Sequence, residues 1–405
     1  MSSFSLMMHK KNGQSGVSLV ELMVAMLISL FLVGGAISLL SQNRVHYRQN
    51  NDQLRLQESA RFALDIIAGD LRMAGYTGCS RSIANNLSGI APGDLLDTRN
   101  TALIDGYEQN SSSWSAQPSN DIVDRIYPGT DAITIRKVTG KGAPISASMA
   151  NAADNVMVEN APVDAGFIGA IYDCETANIF QVTFKDNQMI SHASGGSFSP
   201  GNVEDAFHDP GEALVPRAYV QSPFYTADPD ADKLALKAIT FVSRFDAIRY
   251  FIADTDPDGE VGYPSLWREY HNGTEIVTEE FIQGVENMQI LYGLDDDVET
   301  NQGDGVPDRY VKANEIPAVD LANRVNPWKA VVAVKISLLV RSLDETGSSY
   351  DEKTYDIYST PDDPTDDIGP FYDRRSRTII STTVMIMNRN LDSNPVMPPE
   401  TEATP

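Results

Sequence analysis

Residues 16–21, Gly-Val-Ser-Leu-Val-Glu, and the apolar run that follows them as far as Leu40 decide the fold of this chain. Between Val17 and Leu40 the only ionisable side chain is that of Glu21. At ~1.5 Å per residue an α-helix over this run is about 36 Å long, more than the roughly 30 Å of a bilayer's hydrocarbon core. The run is therefore predicted to be a membrane-spanning helix.

The carboxylate of Glu21 is out of place in such a helix and needs an explanation. A charge inside a span costs roughly 2.5–3.5 kcal/mol on insertion scales, so it calls for a partner. Ser18 and Glu21 also have the Ser-x-x-Glu spacing of a capping box, which would only tie off the helix start. A third interpretation is an ordinary secretory signal cut near Ala36-Ile37-Ser38, although the helical pattern continues beyond that point.

The polar, basic segment 1–16 ends in Gly16 immediately before the apolar run. This arrangement resembles the class III signal of type IV prepilins, with Val17 where phenylalanine is usual. The resemblance implies that a prepilin peptidase cuts between Gly16 and Val17, that Val17 becomes N-methylated, and that the apolar helix stays attached. It also implies that Glu21 attracts the N-terminal amine of a neighbouring subunit in a low-dielectric environment.

Beyond the span, residues 41–75 are predicted to continue the helix in amphipathic form. Apolar residues spaced four and three apart form one stripe: Ala60, Leu64, Ile67, Leu71 and Ala74. Gly75 follows this stripe directly and suits a left-handed helix end. A helix of this length cannot fold into one globular domain, so its second half is expected to lie on the chain's own β-domain.

The segments Arg61-Phe62-Ala63 and 70–79, Asp-Leu-Arg-Met-Ala-Gly-Tyr-Thr-Gly-Cys, resemble the helix end of the PilW family of type IV minor pilins. Weaker similarities to the family lie at 285–293, at 303–308 and from Val331 to Arg341. The resemblance implies a pilin-like α+β fold, in which the long N-terminal helix packs on a large antiparallel β-rich head.

The chain has 405 residues, a formal net charge of −25 and two cysteines. A surface this acidic repels polyphosphate, so direct nucleic-acid binding is not expected. Cys79 and Cys174 suit a single disulfide in a periplasmic or extracellular domain, and two unrelated buried thiols are the alternative.

β-Branched and aromatic residues dominate the C-terminal half and predict strands. We expect them there at Ile239–Phe245, Ala247–Ile252, Leu266–Tyr270, Phe281–Leu294, Ala330–Val340 and Thr378–Met387. Earlier in the chain, alternating apolar residues predict strands at Ala132–Val138 and, in part, at Ile179–Phe184. Residues 85–120 are predicted to form a long surface excursion. The domain order is then leader 1–16, apolar helix 17–40, amphipathic helix 41–75, head 76–393 and disordered tail 394–405.

Two acidic loops raise the question of calcium, the only cofactor that the sequence suggests. Residues 254–259, Asp-Thr-Asp-Pro-Asp-Gly, match half of a calcium loop, but Ser265 stands where glutamate is needed, and a plain hairpin is the favoured interpretation. In the second loop Asp295, Asp297, Asp304 and Asp308 either hold calcium or form a solvated acidic turn.

The sequence contains neither a catalytic constellation nor a nucleotide-binding loop, and a non-enzymatic role is expected. By resemblance, the chain is expected in the inner membrane as a single-pass protein with a periplasmic head, and later in the pilus fibre at the cell surface. Its implied partners are the prepilin peptidase, other minor pilins and the major pilin, in pilus initiation or at the tip, supporting adhesion and twitching motility. The alternatives are a type II secretion pseudopilin and a membrane-tethered periplasmic enzyme or binding protein.

Overall fold

A computed structural model describes residues 18–78, 80, 82–98, 104–110, 113–114, 126–209, 215–221, 240–255, 262–295, 304–317, 327–345, 347, 349–359 and 366–388. It contains one long α-helix, α1 (Leu19–Met73). The chain divides into two compact units, one ending at Gln53 and the other beginning at Leu54. The second unit is the β-rich head, and it includes the last five turns of α1.

Within the head, the predicted stripe of α1 is confirmed as its buried face. Ala60, Leu64, Ile67, Leu71 and Ala74 all lie in the main hydrophobic core. The helix ends where Gly75 takes a positive φ of 77°. A Cβ at this position would lie 2.5 Å from the carbonyl oxygen of Asn388, so both the conformation and the close approach favour glycine.

The first sheet has eight strands in the described part of the chain, most of them antiparallel. The central path runs β1-β8-β7-β13-β14-β15, with β5 pairing β13 and β2 pairing β5. Their bounds are β1 (Ser82–Asn85), β2 (Ile104–Tyr107), β5 (Ala132–Pro144), β7 (Ile168–Tyr172), β8 (Thr176–Gln181), β13 (Phe241–Asp254), β14 (Pro264–His271) and β15 (Ile276–Gln283).

The second sheet has four antiparallel strands in the order β17-β16-β18-β19. They are β16 (Val285–Leu294), β17 (Arg309–Val311), β18 (Val331–Arg341) and β19 (Arg377–Met385), with short 3-10 helices at Ala313–Glu315 and Pro327–Ala330. Both sheets contribute to the core that covers α1, for example through Ile252 of the first and Ile336 of the second.

Short strands complete the head. They are β3 (Gln109–Asn110), β4 (Ser113–Trp114), β6 (Val156–Met157), β9 (Phe184–Lys185), β10 (Met189–Ser191), β11 (His208–Asp209) and β12 (Val215–Pro216). They pair as β3-β4, β6-β10-β9 and β11-β12. The architecture is therefore the expected one, a pilin-like α+β fold with a long N-terminal helix packed on a β-rich domain.

Two strand predictions are wrong in detail. The predicted strand Phe281–Leu294 is broken at Gly284, whose φ is 81° and where the chain passes from the first sheet to the second. A Cβ there would lie 2.8 Å from the carbonyl oxygen of Arg341, which is why the backbone can turn only at glycine. Conversely, the two strands predicted at 239–245 and 247–252 are one strand, β13, with a bulge between Val242 and Arg244.

Candidate functional site

The first half of α1 presents a continuous apolar surface. Every leucine, isoleucine, valine, methionine and phenylalanine side chain from Leu19 to Leu40 is exposed. This helix is long and apolar enough to cross a membrane, and none of its apolar window is buried within the chain. Because exposing so much apolar surface to water is unfavourable, this surface needs lipid or neighbouring helices to cover it.

The start of α1 shows how Glu21 is placed. Ser18 lies just before the helix, and its Oγ accepts a hydrogen bond from the backbone N–H of Glu21 at 3.1 Å. The serine half of the predicted capping box is thus present. The Glu21 side chain itself is exposed on the apolar helix. The cap uses only the backbone N–H of Glu21. The Glu21 carboxylate therefore remains available for another interaction.

Residues 11–37 match a family model described as a prokaryotic N-terminal methylation motif, and residues 249–388 match one described as type IV pilus-assembly protein W. Over residues 249–388, less than half of its length, the chain is similar to the PilW family. No curated protein and no solved structure matches it. Gly16 and Val17 fall inside the methylation motif but outside the described residues, so the cleavage junction itself stays a prediction.

The PilW match spans the sequence from β13 to the end of β19 and so contains all four strands of the second sheet. Its last residue, Asn388, donates a hydrogen bond from Nδ2 to the carbonyl oxygen of Arg72 at 3.0 Å, at the end of α1. The last residue of the matched region is therefore hydrogen-bonded to the C-terminal end of α1. The methylation motif implies processing by a prepilin peptidase, and the apolar helix implies an inner-membrane anchor with a periplasmic domain.

A polar centre that the sequence analysis missed surrounds Arg377. Its guanidinium is fully buried and forms ion pairs with Glu286 at 2.6 Å, Asp373 at 2.6 Å and Asp351 at 3.0 Å. These partners join β16 and β19 to the connection between β18 and β19. The hydrogen bond from Arg377 is the main reason why the pKa of Asp373 lies below its usual value. The three arginines of residues 374–377, Arg-Arg-Ser-Arg, are visible in the sequence, but which of them is buried is not.

Two other buried arginines correct the prediction that 85–120 is a surface excursion. Arg136 donates from Nε to the carbonyl oxygen of Leu95 at 2.8 Å. Arg249 donates from its guanidinium to the carbonyl oxygen of Gly93 at 2.5 Å. Leu95 and Leu96 are only 1% and 2% exposed. The described part of this segment is thus fixed on the first sheet, because arginines in the middle of apolar strands need acceptors.

The predicted disulfide remains a prediction, since Cys79 lies outside the described residues. Its sequence neighbour Ser80 donates from Oγ to the carbonyl oxygen of Asp173 at 2.6 Å, which brings the chain next to Cys79 close to the residue before Cys174. Arg217 holds the same turn through Asp173 at 2.6 Å. This proximity is what a Cys79–Cys174 bond needs.

We expect non-reducing peptide mapping of the purified protein to recover one peptide pair joined through Cys79 and Cys174. A bond closing a loop of this size would stabilise the head by roughly 4–5 kcal/mol in the chain-entropy picture. Cys174→Ser should therefore lower the denaturation midpoint of the oxidised protein and leave that of the reduced protein nearly unchanged. Recovery of both peptides as free thiols would exclude the bond.

The calcium prediction also stays a prediction, because Asp297 lies outside the described residues. Asp295 Oδ2 accepts from the backbone N–H of Gly305 at 2.8 Å, and Asp304 Oδ1 accepts from that of Val306 at 2.8 Å. These bonds are those of an acidic turn. In the first acidic loop, Asp254 ends β13 and Pro264 begins its antiparallel partner β14, so the favoured hairpin is confirmed.

Two carboxyl groups share a buried position between the sheets. Asp131 and Glu108 are 3% and 4% exposed, and their carboxyl groups are close enough to interact electrostatically. Asp131 Oδ2 also accepts from the backbone N–H of Ile290 at 2.7 Å. Burial, and next the Glu108 carboxylate, raise the pKa of Asp131 well above its usual value. Lys312 Nζ, 4.0 Å from Glu108, opposes this shift.

We therefore expect the free energy of unfolding to fall as the pH rises above the unfolded-state pKa of aspartate, because the folded-state pKa of Asp131 is raised. A carboxyl group whose pKa is raised on folding stabilises the folded state. This contribution is complete at a pH below the unfolded-state pKa, about 3.9 for aspartate, and it is lost as the pH rises through the folded-state pKa. Asp131→Asn keeps an acceptor for Ile290 but cannot ionise, so it should flatten the slope by up to about 1.4 kcal/mol per pH unit. Urea unfolding of both proteins across this range measures the effect, and parallel curves would contradict it.

Proposed function

We propose that this protein, which is similar to the PilW family over residues 249–388, is a minor pilin of the initiation or tip complex of the type IV pilus, supporting adhesion and twitching motility. The observation that carries the proposal is the combination of an exposed apolar helix with a methylation motif and a head that begins at Leu54. Leaving the bilayer for a filament exchanges lipid contacts for helix packing, which small residues such as Gly34 and Gly35 favour.

The size of the head supports a position at the tip. The second compact unit runs from Leu54 to the end of the chain, and its eight-stranded and four-stranded sheets both contribute to the core that buries one face of α1 between Leu56 and Ala74. A unit this large is difficult to repeat along a thin shaft. The proposed partners are therefore other minor pilins and the major pilin, and the proposed final location is the pilus fibre at the cell surface. We propose a structural role without catalysis.

Deletion of the gene tests this proposal. We expect piliation and twitching to be lost while export of secreted enzymes continues, and complementation with the full chain to restore both. Lost enzyme export with normal piliation would favour a type II secretion pseudopilin. Normal piliation together with substrate turnover or ligand retention by the purified protein would favour the membrane-tethered enzyme or binding protein.

Processing at the predicted junction gives a second prediction. Replacing Gly16 by a bulky residue should leave an unprocessed chain that retains residues 1–16, because the peptidase implied by the motif cuts after this glycine. Mass spectrometry of the protein isolated from membranes should find a methylated Val17 as the first residue of the natural chain. A natural protein that begins at Met1, or beyond Ser38, would contradict the assigned junction.

A further inference from the structure

Glu108 and Asp131 face each other at the end of a strand pair. Glu108 directly follows β2, and Asp131 directly precedes β5. The last pair in the register of these antiparallel strands is Tyr107 with Ala132, so the next pair along the ladder is Glu108 with Asp131. Side chains that are directly opposite have Cβ atoms about 4.5–5.5 Å apart and lie on the same face of the sheet. The two buried carboxyl groups therefore lie side by side.

The second sheet holds Asp131 in this position. Its backbone N–H donates to the carbonyl oxygen of Met288 at 2.9 Å. Its Oδ2 accepts from the backbone N–H of Ile290 at 2.7 Å. Both partners belong to β16, so Asp131 cannot turn away from Glu108 without breaking bonds between the two sheets.

A lysine amine completes this group of side chains. Lys312 directly follows β17, and its backbone N–H donates to Glu315 Oε2 at 2.8 Å at the start of a 3-10 helix. Its Nζ lies 4.0 Å from Glu108 Oε1 and 4.2 Å from the centre of the Tyr358 ring. This buried ring restricts the lysine side chain and keeps the amine beside the Glu108 carboxyl group. Two groups held together in this way react much faster than the same groups free in solution.

The surroundings favour the neutral acid form of the two carboxyl groups. Burial raises the pKa of both, and the Glu108 carboxylate raises the pKa of Asp131 further. A free amine can attack the carbonyl carbon of a neutral carboxylic acid, whereas the negative charge of a carboxylate resists attack. An amide carries no charge, so its formation also removes the cost of keeping a charged group buried.

We propose that Lys312 and Glu108 are joined by an isopeptide bond that forms within the folded head. Nζ of Lys312, as the free amine, attacks Cδ of the protonated Glu108 carboxyl group. Asp131 donates a proton to the hydroxyl group, which leaves as water, and the proton that Nζ loses returns to Asp131. One C–N bond forms, one C–O bond breaks, and no further reactant is needed. The bond ties the end of β2 in the first sheet to the end of β17 in the second.

A second lysine–carboxylate pair provides a control within the same molecule. Lys185 Nζ lies 2.7 Å from Asp164 Oδ1, but the Asp164 side chain is 74% exposed. A carboxylate in contact with water stays ionised at neutral pH and does not condense with an amine. A short distance alone therefore predicts an ordinary ion pair at Lys185.

The experiment maps the full chain, purified from the membranes of piliated cells, after reduction and digestion with trypsin. We expect a branched peptide in which Lys312 is joined to Glu108, lighter than the sum of its two arms by one water molecule. Trypsin should not cut after Lys312, and it should cut normally after Lys185. On a reducing denaturing gel, the natural chain should migrate faster than Lys312→Arg, because the segment between residues 108 and 312 stays closed.

Two variants separate the bond from the ion pair. Lys312→Arg keeps the positive charge, but its guanidinium stays protonated and is not a nucleophile, so its intact mass should show no loss of water. Asp131→Asn keeps the acceptor for Ile290 and removes the acid. Pulse labelling followed by the same mapping should show that the bond forms at least about a hundredfold more slowly in this variant. The melting temperatures of both variants in detergent report on folding.

Recovery of Glu108 and Lys312 in separate, unmodified peptides of the natural chain would overturn the inference, and this measurement needs no variant. A bond from Lys312 to any other residue would overturn it too, as would an undiminished rate of bond formation in folded Asp131→Asn. The result is independent of the proposed function, because the bond lies within the head whichever complex the protein enters.

Discussion

Replacement of Arg377 by methionine is expected to destabilise the head by about 3–5 kcal/mol, the usual cost of removing one partner from a buried ion pair. The side chain is fully buried among the carboxylates of Glu286, Asp351 and Asp373. Without the guanidinium, Glu286 keeps its ion pair with Arg341 at 3.1 Å, and Asp373 keeps the charge of Arg375 nearby. Neither cation replaces the ion pair of Arg377 with Asp351. The remaining negative charges would repel one another in a poorly solvated position.

Thermal unfolding of the full chain in detergent measures this loss, and we expect the melting temperature to fall by about 4–7 °C, given an unfolding entropy of ~2.1 cal/mol/K per residue. Arg374→Met is the matched control, because Arg374 is exposed and lies over the ring of Tyr350 at 5.1 Å. Equal melting of the two variants would show that the Arg377 centre contributes nothing beyond a surface ion pair.

The ion pairs of Arg377 also predict how the stability of the protein changes at low pH. Arg377 lowers the pKa of Asp373, so the stability from this pair is present above the unfolded-state pKa of aspartate and is lost as the pH falls through the lower folded-state value. The Arg377→Met protein should therefore lose less stability than the natural protein below about pH 4. This slope is opposite in sign to the one that Asp131 contributes at higher pH.

Glu21→Ala is expected to abolish most incorporation into pili while leaving processing intact. The carboxylate is the only ionisable group from Val17 to Leu40, and outside lipid it would neutralise the amine of a neighbouring subunit. Without the carboxylate, the charged amine would stay uncompensated among packed apolar helices, which costs several kcal/mol. This cost corresponds to a hundredfold or greater loss in the amount of the protein that enters pili. Quantitative immunoblotting of sheared pili against membranes measures incorporation.

Ser18→Ala is the control that separates the charge from the helix cap. It removes the acceptor of the Glu21 backbone N–H and costs about 1 kcal/mol of helix stability, but it keeps the carboxylate. We expect this variant to enter pili at close to the natural level. If Ser18→Ala fails as severely as Glu21→Ala, or if both enter normally, the assembly role of the Glu21 charge is rejected.

The polar centres show why the sequence predicted only part of the head. Arg136, Arg249 and Arg377 are each flanked by strand-forming residues, and their positions give no indication of their partners. Arg249, for example, pairs with Glu269 on the neighbouring strand at 3.0 Å and with a carbonyl group far away in sequence at Gly93. Such pairs depend on strand register and on loop paths, which no local pattern specifies.

Local periodicity, in contrast, was sufficient to predict the helix α1. The length of the apolar run, the four-and-three spacing from Ala60 to Ala74 and the stop at Gly75 all depend on residues within a turn or two of each other, so the sequence alone determined the anchor, its buried face and its end. Tertiary structure alone decided which arginines are buried and where the chain passes between the two sheets at Gly284. These depend on contacts between residues that are far apart in the chain and meet only when the strands pair.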